Sequence, residues 1–229
     1  MDKRFWGVIA AIVVIFIGII WINNRKAGAP NGDNGSASAA TNHVEGENAK
    51  GVTLVEYGDF QCPACYSYYP TVKEVVDKYK ADIHFQFRNF PLTQIHPNAF
   101  AGARAAEAAS KQGKYWEMHD QLYQNQDPNG KQGWVASSDP LNQYFTTLAK
   151  SAGVANIDQF KTDYASSQVN SSINADIKAG QKLNVSSTPS FFLNGKKLEG
   201  SDINDASGRP SAEAFGKSID AAIAEKSKQ

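Results

Sequence analysis

The residues best suited to chemistry are Cys62-Pro63-Ala64-Cys65, which hold both cysteines of this 229-residue chain. Two cysteines two residues apart have three readings: a staple, half of a metal site, or a redox pair. As a staple the pair is weak, because closing a four-residue loop adds only about 2 kcal/mol of loop entropy. As half of a metal site it lacks partners: His43, His84, His96 and His119 show no paired ligand spacing, and a complete cysteine zinc site needs four thiolates. No metal or cofactor is therefore expected. As a redox pair the spacing explains itself if Cys62 opens a helix. Unpaired N–H groups and the macrodipole at a helix N-terminus favour an anion, which lowers a thiol from its free pKa of about 8.5. Pro63 lacks an N–H and suits the first turn. Cys65, one turn on and facing inward, is placed to resolve a mixed disulfide formed at Cys62. Asp59, close in sequence, would oppose the thiolate, so the loop is expected to turn it to solvent. Phe60, Tyr66, Tyr68 and Tyr69 fit an apolar lip around the sulfurs, and at helical spacing they fit a core equally well.

The elements around the pair place it on a helix start. Val52 to Tyr57 is a short β-branched run closing at Gly58, which reads as a buried strand. A helix follows from Cys62 to about Lys80, with Tyr68, Val72, Val75, Val76 and Tyr79 at helical spacing and Pro70 inside it, where a bend is expected. Ile83 to Phe87 alternates as a second strand. From His96 to about Leu183 the pattern turns helical, through an alanine-rich stretch, a segment marked by Tyr115, Met118 and Leu122, and an Asp139-Pro140 start signal. Residues 124–138 form a long loop that Trp134 pins down. Ser190 to Leu193 and Lys196 to Leu198 flank Asn194-Gly195, a strong hairpin signal, and Phe215, Ile219 and Ile223 mark a last amphipathic helix.

Composition sets the setting. Phe5 to Ile22 is an 18-residue run without a charge, long enough at 1.5 Å per residue to cross the hydrocarbon layer, with Trp6 and Trp21 near its ends. It reads as a single membrane anchor; the rival is a signal peptide cut near Ala27-Gly28-Ala29. Either version exports the remainder. No cysteine follows the run to carry a lipid. Asn23 to Lys50, rich in Gly, Ala, Asn and Ser, reads as a flexible tether. The part after it, about 180 residues, suits one domain. Basic and acidic residues total 23 each; beyond residue 26 they number 19 and 22, which disfavours a nucleic-acid-binding surface. Hydrophobic residues at 41% exclude wholesale disorder.

Taken together, Glu56-Tyr57-Gly58-Asp59-Phe60-Gln61-Cys62-Pro63-Ala64-Cys65, the helical block after Phe90-Pro91-Leu92, and Ser187-Thr188-Pro189-Ser190-Phe191 resemble the DsbA-like thiol-disulfide oxidoreductases, and within them the membrane-anchored bacterial type. The resemblance covers roughly Asn48 to Lys226. It implies an α/β thioredoxin fold (βαβ…ββα) interrupted by an all-helical insertion. The resulting division is an anchor or uncleaved signal over 1–22, a flexible linker over 23–50, the first part of the thioredoxin fold over 51–95, a helical insertion over 96–183 and the second part over 184–229. It implies a cis Pro189, preceded by Thr188, facing the cysteines and pairing with an extended substrate segment. It also implies an acid at Glu56 relaying a proton to Cys65. The implied activity is an extracytoplasmic dithiol oxidase on the outer side of the cell membrane. It would be a monomer that acts on reduced exported proteins and is reoxidised by a quinone-linked membrane partner of the DsbB or vitamin K epoxide reductase type. A reductase or isomerase, and a non-catalytic peptide-binding module or chaperone, are the alternatives. Ala64 stands where strongly oxidising relatives carry a histidine, which points to a less oxidising disulfide.

Overall fold

The computed structural model describes residues 40–228. The apolar run at 5–22 and most of the expected linker lie outside them. Among the described residues no helix is long and apolar enough to cross a membrane.

Among these residues one sheet carries five strands in the order β1 (His43–Glu45), β3 (Ile83–Asn89), β2 (Val52–Gly58), β4 (Ser190–Leu193) and β5 (Lys196–Lys197). β2 and β3 run parallel, joined by the crossover helix α1 (Pro63–Tyr79), and the other neighbouring pairs are antiparallel. The sheet forms because Val52, Leu54, Ile83, Phe85 and Phe87 bury their side chains against Val72, Val75, Val76 and Tyr79 of α1. Pro70 lies inside α1 without ending it. Asn194 and Gly195 take φ of 48° and 81°, the left-handed pair that a two-residue hairpin between β4 and β5 requires. The short helix α7 (Gly200–Ile203) carries no period the sequence could display, and α8 (Ala212–Lys226) closes the fold with Phe215 and Ile219 buried.

Between β3 and β4 stand α2 (Ala99–Ser110), α3 (Tyr115–Gln124), α4 (Thr146–Ser151), α5 (Ile157–Tyr164) and α6 (Ser167–Lys182). The expected helix after Pro140 begins as a π-helical turn over Leu141–Phe145 before α4. Trp134 is fully buried and donates its ring N–H to Leu122 O, which pins the long loop as expected. The insertion shares one core with the sheet: Ala105, Ala106, Met118, Leu122 and Trp134 belong to the cluster that holds Phe60 and Phe87.

The linker expected over 23–50 ends before its composition suggests. Thr41 donates its N–H and hydroxyl to buried Asp176 of α6. β1 pairs with β3, and His43 meets Glu107 of α2 at 2.8 Å while stacking on Tyr115. Residues 47–50 then bond backbone to backbone with residues 80–83. A three-residue strand shows no periodicity, and its partners lie far along the chain.

Candidate active site

Cys62 is the N-cap of α1 and Pro63 its first helical residue. The first turn holds no acidic residue and no side-chain hydrogen bond caps it, so the N–H groups of Ala64 and Cys65 stand open beside the Cys62 sulfur and favour its anion. Cys62 is 5% exposed and Cys65 is 1% exposed, while Pro63 and Ala64 stand at the surface. Both cysteines are free thiols.

The two sulfurs are driven apart in acidity. Cys62 falls to about 6: the Cys65 S–H donates to it, burial opposes, and the Thr188 hydroxyl with the Cys65 and Ala64 N–H groups adds to the lowering. Cys65 is pushed well above its ordinary value, chiefly by burial and by giving its hydrogen to Cys62. A thiol at about 6 is about nine-tenths ionised at neutral pH.

The peptide bond Thr188–Pro189 is cis, and the Cys62 sulfur lies 3.5 Å from the Thr188 carbonyl oxygen. The Thr188 hydroxyl is buried and has no other hydrogen-bond partner among the described residues, which leaves its proton for the Cys62 sulfur. Glu56, 4% exposed on β2, lies behind the cysteines. Burial, and to a lesser degree the Cys62 charge, raises it to about 8, so it is a neutral acid at pH 7. The structure thus brings Cys62, Cys65, Thr188, Pro189 and Glu56 to one end of the sheet.

Asp59 does not turn to solvent. It is 1% exposed, accepts the N–H groups of Gln61 and Leu92 at 2.8 and 2.9 Å, and meets His96 Nδ1 at 2.7 Å. Burying the carboxylate is tolerable because each oxygen is hydrogen-bonded. Gln61 donates to Val135 O at 3.0 Å and accepts the Asn98 N–H at 2.6 Å. Gln126 donates to the carbonyls of Phe60 and Cys62. The loop before the cysteines is therefore held by the helical insertion. Sequence reasoning missed these residues, since nothing in a lone Gln61, His96 or Gln126 announces its partner. Phe60 belongs to the core, its ring 5.0 Å from that of Phe87 and 5.2 Å from that of Tyr123.

Known proteins resemble this chain in sequence and in fold. A family model described as Thioredoxin matches residues 38–221. The probable disulfide bond formation protein D of Bacillus cereus is 34% identical over 202 residues, covering 82% of this chain and 87% of that protein. The chain belongs to the DsbA-like thiol-disulfide oxidoreductases of the thioredoxin family. The Na(+)/H(+) antiporter NhaA 3 of Salinispora tropica is 35% identical over 158 residues, covering 69% of this chain and 22% of the antiporter. The chain thus spans about a fifth of that relative's length. In fold it is similar to the crystal structure of oxidised BdbD from Bacillus subtilis, with a TM-score of 0.64 at 24% identity over 82% of this chain and 98% of that one. The α-DsbA2 protein of Wolbachia pipientis gives a TM-score of 0.64 at 18% identity, over 83% and 91% of the two chains.

Proposed function

We propose that this protein is an extracytoplasmic dithiol oxidase that hands its Cys62–Cys65 disulfide to reduced exported proteins. One observation carries the reading: the Cys62 sulfur stands at the head of α1 beside Cys65 and Thr188, a setting that lowers its thiol to about 6 and makes it a better leaving group and a more stable anion than an ordinary cysteine. A substrate thiolate attacks the Cys62 sulfur, the Cys62–Cys65 bond breaks, and Cys65 leaves with the electron pair. The buried, neutral Glu56 supplies the proton that Cys65 takes up. A second substrate thiolate then attacks its partner sulfur and releases Cys62 as thiolate. The substrate dithiol is oxidised by two electrons and the protein disulfide reduced by two. Thr188 and Pro189 offer backbone beside the sulfurs on which an extended substrate segment can lie. An anchor at 1–22 would keep the domain at the outer membrane face, near a quinone-linked oxidase of the DsbB or vitamin K epoxide reductase type that restores the disulfide.

The driving force is modest. With Cys62 about one unit below neutral pH, the reduced form gains about 1.4 kcal/mol, or about 30 mV in a two-electron couple. Ala64 offers no side-chain donor to increase it. Such a potential also suits the second reading, a reductase or isomerase of the same fold. Stopped-flow mixing of the oxidised protein with a reduced dicysteine peptide tests the proposal: the peptide emerges oxidised with one equivalent of protein dithiol. Absence of transfer, or an equilibrium lying on the side of the reduced peptide, overturns it.

A further inference from the structure

Beside the cysteines lies a hollow of about 450 Å³ whose lining includes Pro63, Ile95, His96, Pro128 and Asn129. Gln61 and Pro63, the chain neighbours of Cys62, both line this hollow, which therefore opens on the insertion side of the cysteine loop. The His96 ring is fixed there by one edge. Its Nδ1 is engaged 2.7 Å from the Asp59 carboxylate, so Nε2 is the ring nitrogen outside that pairing, on a residue that lines the hollow. Asp59 is itself immobilised by two backbone N–H groups, and its carbonyl accepts the Cys62 N–H at 3.0 Å. One short segment thus holds both the nucleophilic sulfur and the carboxylate that orients the imidazole.

We propose that Asp59 and His96 form an acid–base dyad of the exchange reaction, in which His96 Nε2 takes the proton from a substrate thiol entering the hollow beside Cys62. The proposal rests on the oxidase reading and adds a catalytic residue to it. The substrate S–H bond breaks, its proton goes to Nε2, and the sulfur's electron pair forms the new bond to the Cys62 sulfur. The Cys62–Cys65 bond breaks with its electrons going to Cys65, and water later removes the proton from His96. Asp59 holds the tautomer and stabilises the imidazolium without touching the substrate, so it is a positioning residue. The need is plain: a substrate thiol of ordinary pKa is only about 3% ionised at pH 7, and the thiolate is the attacking species.

The electrostatics agree. In the reduced protein the Asp59 hydrogen bond and charge, and also the Cys62 thiolate, raise the His96 pKa above its ordinary value while burial opposes them; in the oxidised protein, where Cys62 carries no charge, Asp59 supplies the rise and makes His96 a stronger base. Asp59 and Cys62 are the titratable groups acting on it, and the remaining residues lining the hollow are amides, a serine, prolines, a glycine and apolar side chains.

The test is single-turnover reaction of the oxidised full chain with two thiols: a cysteine peptide, mostly un-ionised at pH 7.5, and thionitrobenzoate, already a thiolate there. His96→Asn keeps an amide donor toward Asp59 and deletes Nε2. The expected result is a rate several-fold lower with the cysteine peptide at pH 7.5, an unchanged rate with thionitrobenzoate, and a deficit that closes as pH passes about 8.5. Unchanged rates with both thiols, or equal slowing of both, overturn the proposal. Should the variant not fold, the wild-type protein decides: its rate with the cysteine peptide must inflect at the pH where NMR shows the His96 imidazole titrating, and a profile without that inflection overturns the dyad. A wild-type protein that reacts with neither thiol overturns the oxidase reading and the dyad with it, whereas loss of the dyad alone leaves wild-type transfer intact.

Discussion

Thr41 gives both its N–H and its hydroxyl to Asp176, at 2.7 and 2.6 Å, across 135 residues of chain. The same carboxylate accepts the Asn89 N–H at 3.0 Å and lies 3.2 Å from the Arg88 guanidinium. One buried acid on α6 therefore joins the segment entering the sheet to the end of β3. Burial raises its pKa, against the pull of these donors. Asp176→Ala would leave the Arg88 charge and several N–H and O–H donors without an acceptor. The expected loss of folding stability is about 3 kcal/mol, measured by urea denaturation. A loss below about 1 kcal/mol would mean that water replaces the carboxylate at little cost.

Alkylation of the reduced protein should report Cys62 titrating near 6, far below the free thiol. The largest cause is the hydrogen bond from Cys65, so Cys65→Ala should move the midpoint upward, and Thr188→Val should move it upward by less. An unmoved midpoint in Cys65→Ala would assign the lowering to the helix start alone.

Glu56 makes stability depend on pH with a definite sign. Above about 4.5 the unfolded chain gives up this proton while the folded chain keeps it until about 8. The unfolded state then binds fewer protons, so stability falls as pH rises through that window. In the reduced protein Cys62 works in the opposite direction, its folded pKa being the lower, and stability from it rises with pH above about 6. The oxidised protein removes the Cys62 contribution. There, thermal unfolding should show falling stability from pH 5 to 8, and Glu56→Gln should flatten that slope. An unchanged slope in the variant would place the pH dependence elsewhere.

Gly58 ends β2 where the Phe87 ring lies across the strand. A Cβ built there would overlap that ring. Because Phe87 is fully buried in the core, Gly58→Ala should cost about 1 to 3 kcal/mol, read from chemical denaturation. It should also slow disulfide transfer, since Gly58 precedes the Asp59 loop.

Some of this protein was legible in its residue order. The strands β2 and β3, the helix opening at the cysteines, the Asn194-Gly195 hairpin and the helical block rest on interactions between near neighbours, whose periods and turn residues any reader of the sequence can see. The cysteine pair belongs to this group, because a helix start two residues from its partner sulfur is a local fact. The burial of Asp59, the tether of Gln61 and Gln126 to the cysteine loop, and the docking of residues 41–50 along β3 belong to the other. Each is a polar group whose removal from water is tolerated only because a partner tens of residues away, such as His96, Val135 or Asp176, accepts or donates its hydrogen bond. A polar residue in a sequence looks the same whether water or a distant carbonyl will satisfy it. Only the packed fold chooses, and here its choice ties the loop that carries the reactive cysteine to groups of the helical insertion.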